Sequence, residues 1–148
     1  MARTVVVTGS TSGIGLGIAE GFAKAGDNLV INGFGTEETI NQAVERIGST
    51  GDGSVIYHPA DMTKPDEIAD LIATARQTFG SLDVLVNNAA EQHAQDRFED
   101  VPEQQMEDTF RTNIFGQMFM VQAALDHMKE GAAIVGITSI TAYRGQDL

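Results

Sequence analysis

The chain contains no cysteine, so neither a disulfide framework nor a thiolate metal site is available to it. Basic residues are scarce as well: nine Lys and Arg stand against 21 Asp and Glu, a formal charge of −12. That balance argues against nucleic acid or an anionic membrane surface as a partner. An anionic cofactor stays open, because backbone N–H groups can hold phosphate without a basic patch. No apolar stretch is long enough to span a membrane, and the N-terminus lacks the apolar core of a signal peptide. A cytoplasmic protein is expected. No internal repeat or low-complexity tract interrupts the 148 residues, which suffice for one domain with a real core and are read as such over 1–148.

What the chain does have is glycine at a telling place. Arg3–Val7 is a short, nearly all-apolar β-branched run, as a strand buried on both faces should be. It breaks into Thr8-Gly9-Ser10-Thr11-Ser12-Gly13-Ile14-Gly15. Beyond it Ile14, Ile18, Phe22 and Ala25 recur on one helical face, with Gly26 as the C-cap. Strand, glycine turn and helix N-terminus together aim free N–H groups and a positive dipole end at one point, which suits a pyrophosphate. The plainer alternative is a turn that merely lets a helix pack on a sheet, and three placed glycines exceed what that needs.

The same alternation continues. Asn28–Asn32 reads as a second strand ending in Gly33-Phe34-Gly35, followed by a helix over Thr36–Ile47. Ser54–Tyr57 is a third strand running out at Pro59-Ala60-Asp61. Thr63 then caps a helix with Pro65 near its start and Ile68, Leu71, Ile72, Ala75 and Phe79 on one face. Leu82–Val86 is a fourth strand, helical segments span Pro102 to Glu130, and Ala132–Ile137 is a fifth strand. This order predicts an α/β fold: a doubly wound parallel sheet of about five strands with helices on both faces. Gly9, Asn32, Asp61, Asn87 and Ser139 each fall just after a strand, the end where such sheets bind ligands.

Thr-Gly-x-x-x-Gly-Ile-Gly at residues 8–15 resembles the cofactor motif of the short-chain dehydrogenases/reductases, a family with a Rossmann-like fold. The resemblance implies a nicotinamide dinucleotide, with Gly9, Ser12, Gly13, Ile14 and Gly15 around its pyrophosphate. Phe34 would lie by the adenosine ribose, or serve as a simple turn residue. Neither a carboxylate nor an arginine stands there, and the lack of a cation favours NAD over NADP. Asp61 and Met62 match the pair that receives adenine, the carboxylate taking the exocyclic amine and the next N–H a ring nitrogen. Asn87-Asn88-Ala89-Ala90 resembles the family's Asn-Asn-Ala-Gly. There Asn87 would hold the central strands while the backbone at Ala89 passes the cofactor ribose, and scaffolding alone is an equal reading. Ala90 replaces a glycine, which is mild at negative φ and disruptive at positive φ.

The family's catalytic set is an asparagine, a serine, and a tyrosine with a lysine four residues later. Asn113 matches the asparagine, which holds a water in the proton relay. Ser139 matches the serine, which orients the substrate carbonyl or hydroxyl; on residue type alone it is a turn former. Only nine residues follow Ser139 and none supplies Tyr-x-x-x-Lys. Tyr143 has no lysine partner, sits too close to the serine, and is given no catalytic role. The chain is thus expected to cover the first part of the family fold and to be inactive alone. Gln92-His93 matches a pair of the 3-hydroxybutyrate dehydrogenases, whose glutamine binds the substrate carboxylate; a solvated loop is the plainer reading. Thr138-Ser139-Ile140-Thr141-Ala142-Tyr143 instead resembles the sugar-alcohol and aldehyde branch, with Thr141 where the hydroxybutyrate enzymes carry histidine. Such mixed likeness points to a chimera of two relatives. An oxidoreductase acting on a small hydroxy or carbonyl substrate, with NAD and no metal, is expected. The alternative is a non-catalytic dinucleotide-binding module. Ile114, Phe115, Met118, Phe119, Val121, Leu125 and Met128 make the last helix apolar over more than one face, which predicts a homo-oligomer.

Overall fold

A computed structural model describes residues 2–140 and 143–144, so the contrast drawn at Thr141 lies outside the described residues. Valine-rich β1 (Thr4–Val7) leads through the glycine turn into α1 (Gly13–Lys24) and β2 (Asn28–Asn32). Then come α2 (Glu37–Gly48), β3 (Val55–His58), α3 (Pro65–Phe79) and β4 (Leu82–Asn87). A long loop with a single 3-10 turn at Phe98–Asp100 precedes α4 (Glu103–Phe110). A π-widened turn over Arg111–Gly116 joins α4 to α5 (Gln117–Leu125), and β5 (Met128–Gly136) closes the described fold.

The strands run parallel in the order β3-β2-β1-β4-β5. Strand order reverses between β1 and β4, which opens a crevice beyond their carboxyl ends. Residues alternate faces along a strand, so β1 feeds two cores. Val5 and Val7 pack with Leu29, Ile31, Ala19 and Ile47 beneath α1 and α2. Val6 packs with Leu85, Ile68, Leu71, Ile72 and Met120 beneath α3 and α5. The doubly wound α/β sheet with helices on both faces is therefore as the order of elements implied.

Local differences have local causes. The strand expected at Ala132 begins at Met128, because Met128 pairs with Leu82 ahead of a register shift that brings Ala133 opposite Val84. The last helix accordingly ends at Leu125, and Met128 belongs to the sheet. The C-cap of α1 is Ala25, one residue before the expected Gly26. Gly26 follows Ala25 in a Schellman arrangement, with Gly26 N–H on the Ala23 carbonyl and Asp27 N–H on that of Phe22. Ile14 does not join the buried face; it is 69% exposed, since the helix begins at Gly13 and its first turn overhangs the crevice. Among the described residues no helix is long and apolar enough to cross a membrane.

Candidate functional site

A groove of about 440 Å³ lies at the crevice, walled by Gly9, Thr11 and Ser12, by Asn32–Phe34, by Ala60–Thr63, and by residues 88–91 with Thr112. Its floor is a knot of hydrogen bonds around the first turn. Thr8 Oγ1 donates to the Val86 carbonyl and accepts the N–H groups of Asn88 and Ala89, both at 3.0 Å. Asn88 Nδ2 donates to the carbonyls of Thr8 and Gly9 at 2.9 and 3.0 Å. Ser10 Oγ donates to the Val7 carbonyl and accepts the Asn32 N–H, while Thr11 Oγ1 donates to the Phe34 carbonyl.

Above this floor sits the N-terminus of α1. The first helical bond runs from Leu16 N–H to the Ser12 carbonyl, and the Ser12 side chain caps nothing. The N–H groups of Gly13 and Ile14 therefore have no acceptor among the described residues. Gly13 takes φ +56°, and the place its Cβ would fill is open space. Gly15 is needed for the opposite reason: a Cβ there would lie 2.2 Å from the Gly9 carbonyl oxygen. Open N–H donors at a positive dipole end, approachable because Gly13 has no side chain, fit a pyrophosphate.

At the far wall, Asp61 Oδ1 accepts from both the N–H and the hydroxyl of Thr63, at 2.9 and 2.8 Å. Lys64 Nζ lies 3.8 Å from Oδ2. Partial burial pushes the Asp61 carboxyl up, but the Thr63 donors and Lys64 outweigh it and hold it below the ordinary value of 3.8. Thr63 is consequently not the cap of α3; that position falls to Lys64, without a side-chain bond. The Thr63 hydroxyl is taken up by Asp61, and the first turn relies instead on Pro65, Asp66 and Glu67. Glu67 reaches back to the Asp61 N–H at 2.8 Å. Met62 is buried in the core and also borders the groove.

Asn32 is 1% exposed and structural: Nδ2 donates to the His58 and Ala60 carbonyls, tying β2 to β3. Phe34 stands 74% exposed at the groove edge, and no Lys or Arg is among the wall residues. Of the asparagine pair, Asn88 ties β4 to the first turn. Asn87 faces the other way, its Nδ2 donating weakly to the Gln117 carbonyl at 3.4 Å and its Oδ1 buried without a partner. It lines a separate, open cavity with Asn113, Gln117, Met118 and Ile134. Among the described residues no non-glycine has positive φ, so Ala90 replaces a glycine without strain.

Asn113 sits in the π-widened turn, and both its amide atoms hold one residue: Oδ1 accepts the Glu91 N–H at 2.8 Å, and Nδ2 donates to the Glu91 carbonyl at 2.9 Å. It thereby fixes the loop after β4. Ser139 lies past β5 and Gln92 in the loop after β4; both are exposed and neither lines the groove. Tyr143 is 91% exposed. The structure thus brings Gly9, Ser12, Phe34, Asp61, Met62 and Ala89 to one groove; Gly13, Ile14 and Gly15 follow Ser12 at the start of α1 and do not line it. Thr8, Thr11, Asn88 and Glu91 also build the groove, beyond the residues to which the sequence points. Thr8, a hydroxyl ending an all-valine strand, and Asn88, the second of a polar pair after a buried strand, were the available signals. Among the described residues no cluster of three or more His, Cys, Asp or Glu could hold a metal.

The sequence profile of a family described as short chain dehydrogenase matches residues 3–147. A D-beta-hydroxybutyrate dehydrogenase of Rhizobium meliloti (strain 1021) is 44% identical over 130 residues, 88% of this chain and 50% of the relative. A glucose and ribitol dehydrogenase of Daucus carota is 38% identical over 149 residues, 97% of this chain and 51% of the relative. Among solved structures, a short chain dehydrogenase from Burkholderia cenocepacia J2315 in complex with NADP superposes with a TM-score of 0.92 at 30% identity. It covers 98% of this chain and 58% of that one. The chain spans about half the length of the curated relatives it matches.

Proposed function

Because this chain belongs to the short-chain dehydrogenase family, we propose that its groove holds a nicotinamide dinucleotide, in a cytoplasmic enzyme that interconverts a small alcohol and its carbonyl compound. The observation that carries this reading is the pair of open N–H groups at Gly13 and Ile14, directly after Ser12 of the groove wall to which Asp61 also belongs. In it, Gly13 and Ile14 hold the pyrophosphate, with Gly9, Ser12 and Gly15 shaping the turn. The Asp61 carboxylate accepts the adenine amine, and the Met62 N–H donates to a ring nitrogen. Phe34 and Ala89 border the ribose side, and Asn87 keeps β4 in register. NAD is favoured over NADP because no cation lines the groove where a 2′-phosphate would need one.

When bound, the nicotinamide supplies or accepts the hydride. Asn113 keeps the Glu91 loop in place and with it the wall that faces the substrate. Ser139 orients the substrate oxygen, and Gln92 contacts a substrate carboxylate if the substrate is a hydroxy acid. The substrate is 3-hydroxybutyrate-like or a sugar alcohol, and the assembly is a homo-oligomer. These 148 residues contain no Tyr-x-x-x-Lys, and an exposed Tyr143 favours a second reading of the isolated chain as a binding module. General acid–base groups commonly contribute about 10²–10⁴-fold in rate, so turnover by this polypeptide alone should be negligible while binding persists. Titrating NADH and NADPH by fluorescence, then assaying short hydroxy acids and sugar alcohols, tests both parts. Tighter NADPH binding would overturn the cofactor choice, and robust turnover abolished by Tyr143→Phe would overturn the account of Tyr143.

A further inference from the structure

The six residues Arg111–Gly116 do more than carry Asn113. At their start, Arg111 Nε donates to the Thr63 carbonyl at 2.9 Å, and its guanidinium lies 5.2 Å from the Phe119 ring centroid. In the middle, Asn113 grips Glu91. At the end, Gly116 packs against the Met62 carbonyl so closely that a Cβ would come within 2.6 Å. One widened turn therefore braces the Asp61–Thr63 loop and the loop after β4 together. Arg111 is half-buried and, among the described residues, pairs with no carboxylate. In a chain with 21 acids to nine bases, its directional donor is used on a carbonyl and its plane on a ring. Thr63 is the link: its carbonyl is held by Arg111, while its N–H and hydroxyl hold Asp61 Oδ1.

We propose that Arg111 is a positioning residue for the adenine end of the groove, acting through Thr63 to hold the Asp61 carboxylate and Met62 N–H at the wall. This rests on the dinucleotide reading above. Removing the donor leaves the Thr63–Lys64 peptide held only by the Lys64 N–H on the Asp61 carbonyl, so Thr63 can shift and loosen the two hydrogen bonds that orient Asp61. The N-terminus of α1 takes no part in these contacts and keeps its geometry.

Two probes separate these ends: AMP, which needs Asp61 and Met62, and inorganic pyrophosphate, which needs only Gly13 and Ile14. Amide shift titrations of the whole chain should show Arg111→Met binding AMP about tenfold more weakly, the scale of one charge-assisted hydrogen bond, with pyrophosphate affinity unchanged. Equal AMP affinity in Arg111→Met and wild type overturns the proposal. So does parallel weakening of both probes, which marks a merely structural role. If Arg111→Met does not fold, Arg111→Lys decides: it keeps a donor without the planar fork, and about threefold weaker AMP binding is expected, whereas parity overturns the proposal. A wild type that binds neither AMP nor NADH removes the dinucleotide reading itself, and the positioning role with it.

Discussion

Gly13 is the residue on which the proposed binding hinges most directly. Its left-handed φ and the open space beside it mean that a side chain would both strain the turn and fill the seat proposed for the pyrophosphate. Gly13→Val should abolish NADH binding by calorimetry. Gly17, helical and with nothing near its missing Cβ, is the control: Gly17→Ala should leave binding intact and stabilise by about 0.5–1 kcal/mol. Asp61 adds a pH signature. Its folded carboxyl titrates below the unfolded value, so the stability it gives is complete above that value and is lost as pH falls through the folded one. The difference in Tm between wild type and Asp61→Asn should therefore shrink between about pH 6 and about pH 3; a difference that grows on acidification would contradict the Thr63 and Lys64 contacts.

At the scale of elements, the sheet is pinned at its amino edge by Asp83 as well as by strand pairing. Asp83 Oδ2 accepts the buried Thr4 N–H and the Ser81 hydroxyl, both at 2.7 Å. Asp83→Ala leaves that N–H unpaired and should cost about 1–3 kcal/mol in urea unfolding. The strands and helices were legible because each apolar run has the period of its element and ends in glycine, proline or a cap. Asn28–Asn32 could be read to the residue for this reason. What could not be read depends on partners distant in sequence. The start of β5 at Met128 is set by pairing with Leu82; nearer in the chain, Thr63 loses the cap of α3 because Asp61 takes its hydroxyl. The candidate site was legible where backbone does the work, at Gly9–Gly15 and Asp61-Met62. It was less so at the asparagine pair, because only the fold reveals which amide faces β1.

At the scale of the whole molecule, the described residues leave one side open. Ile114, Phe115, Met118 and Leu125 are roughly half exposed along the last helical stretch, and Ile134 and Val135 are exposed on the neighbouring edge strand β5. An apolar face beside an unpaired edge favours self-association, and net negative charge opposes it without covering the face. Light scattering at high micromolar concentration should find a dimer or larger species, and Met118→Lys should weaken it about tenfold or more; a clean monomer would refute this. The central claim concerns the other side, the groove at the carboxyl ends of the strands. It is tested most directly by following backbone amide shifts while NADH is added to the chain. The account predicts the largest changes at Gly13, Ile14 and Met62, saturating together. Changes confined to α5 and β5, or none at all at Gly13 and Ile14, would contradict it.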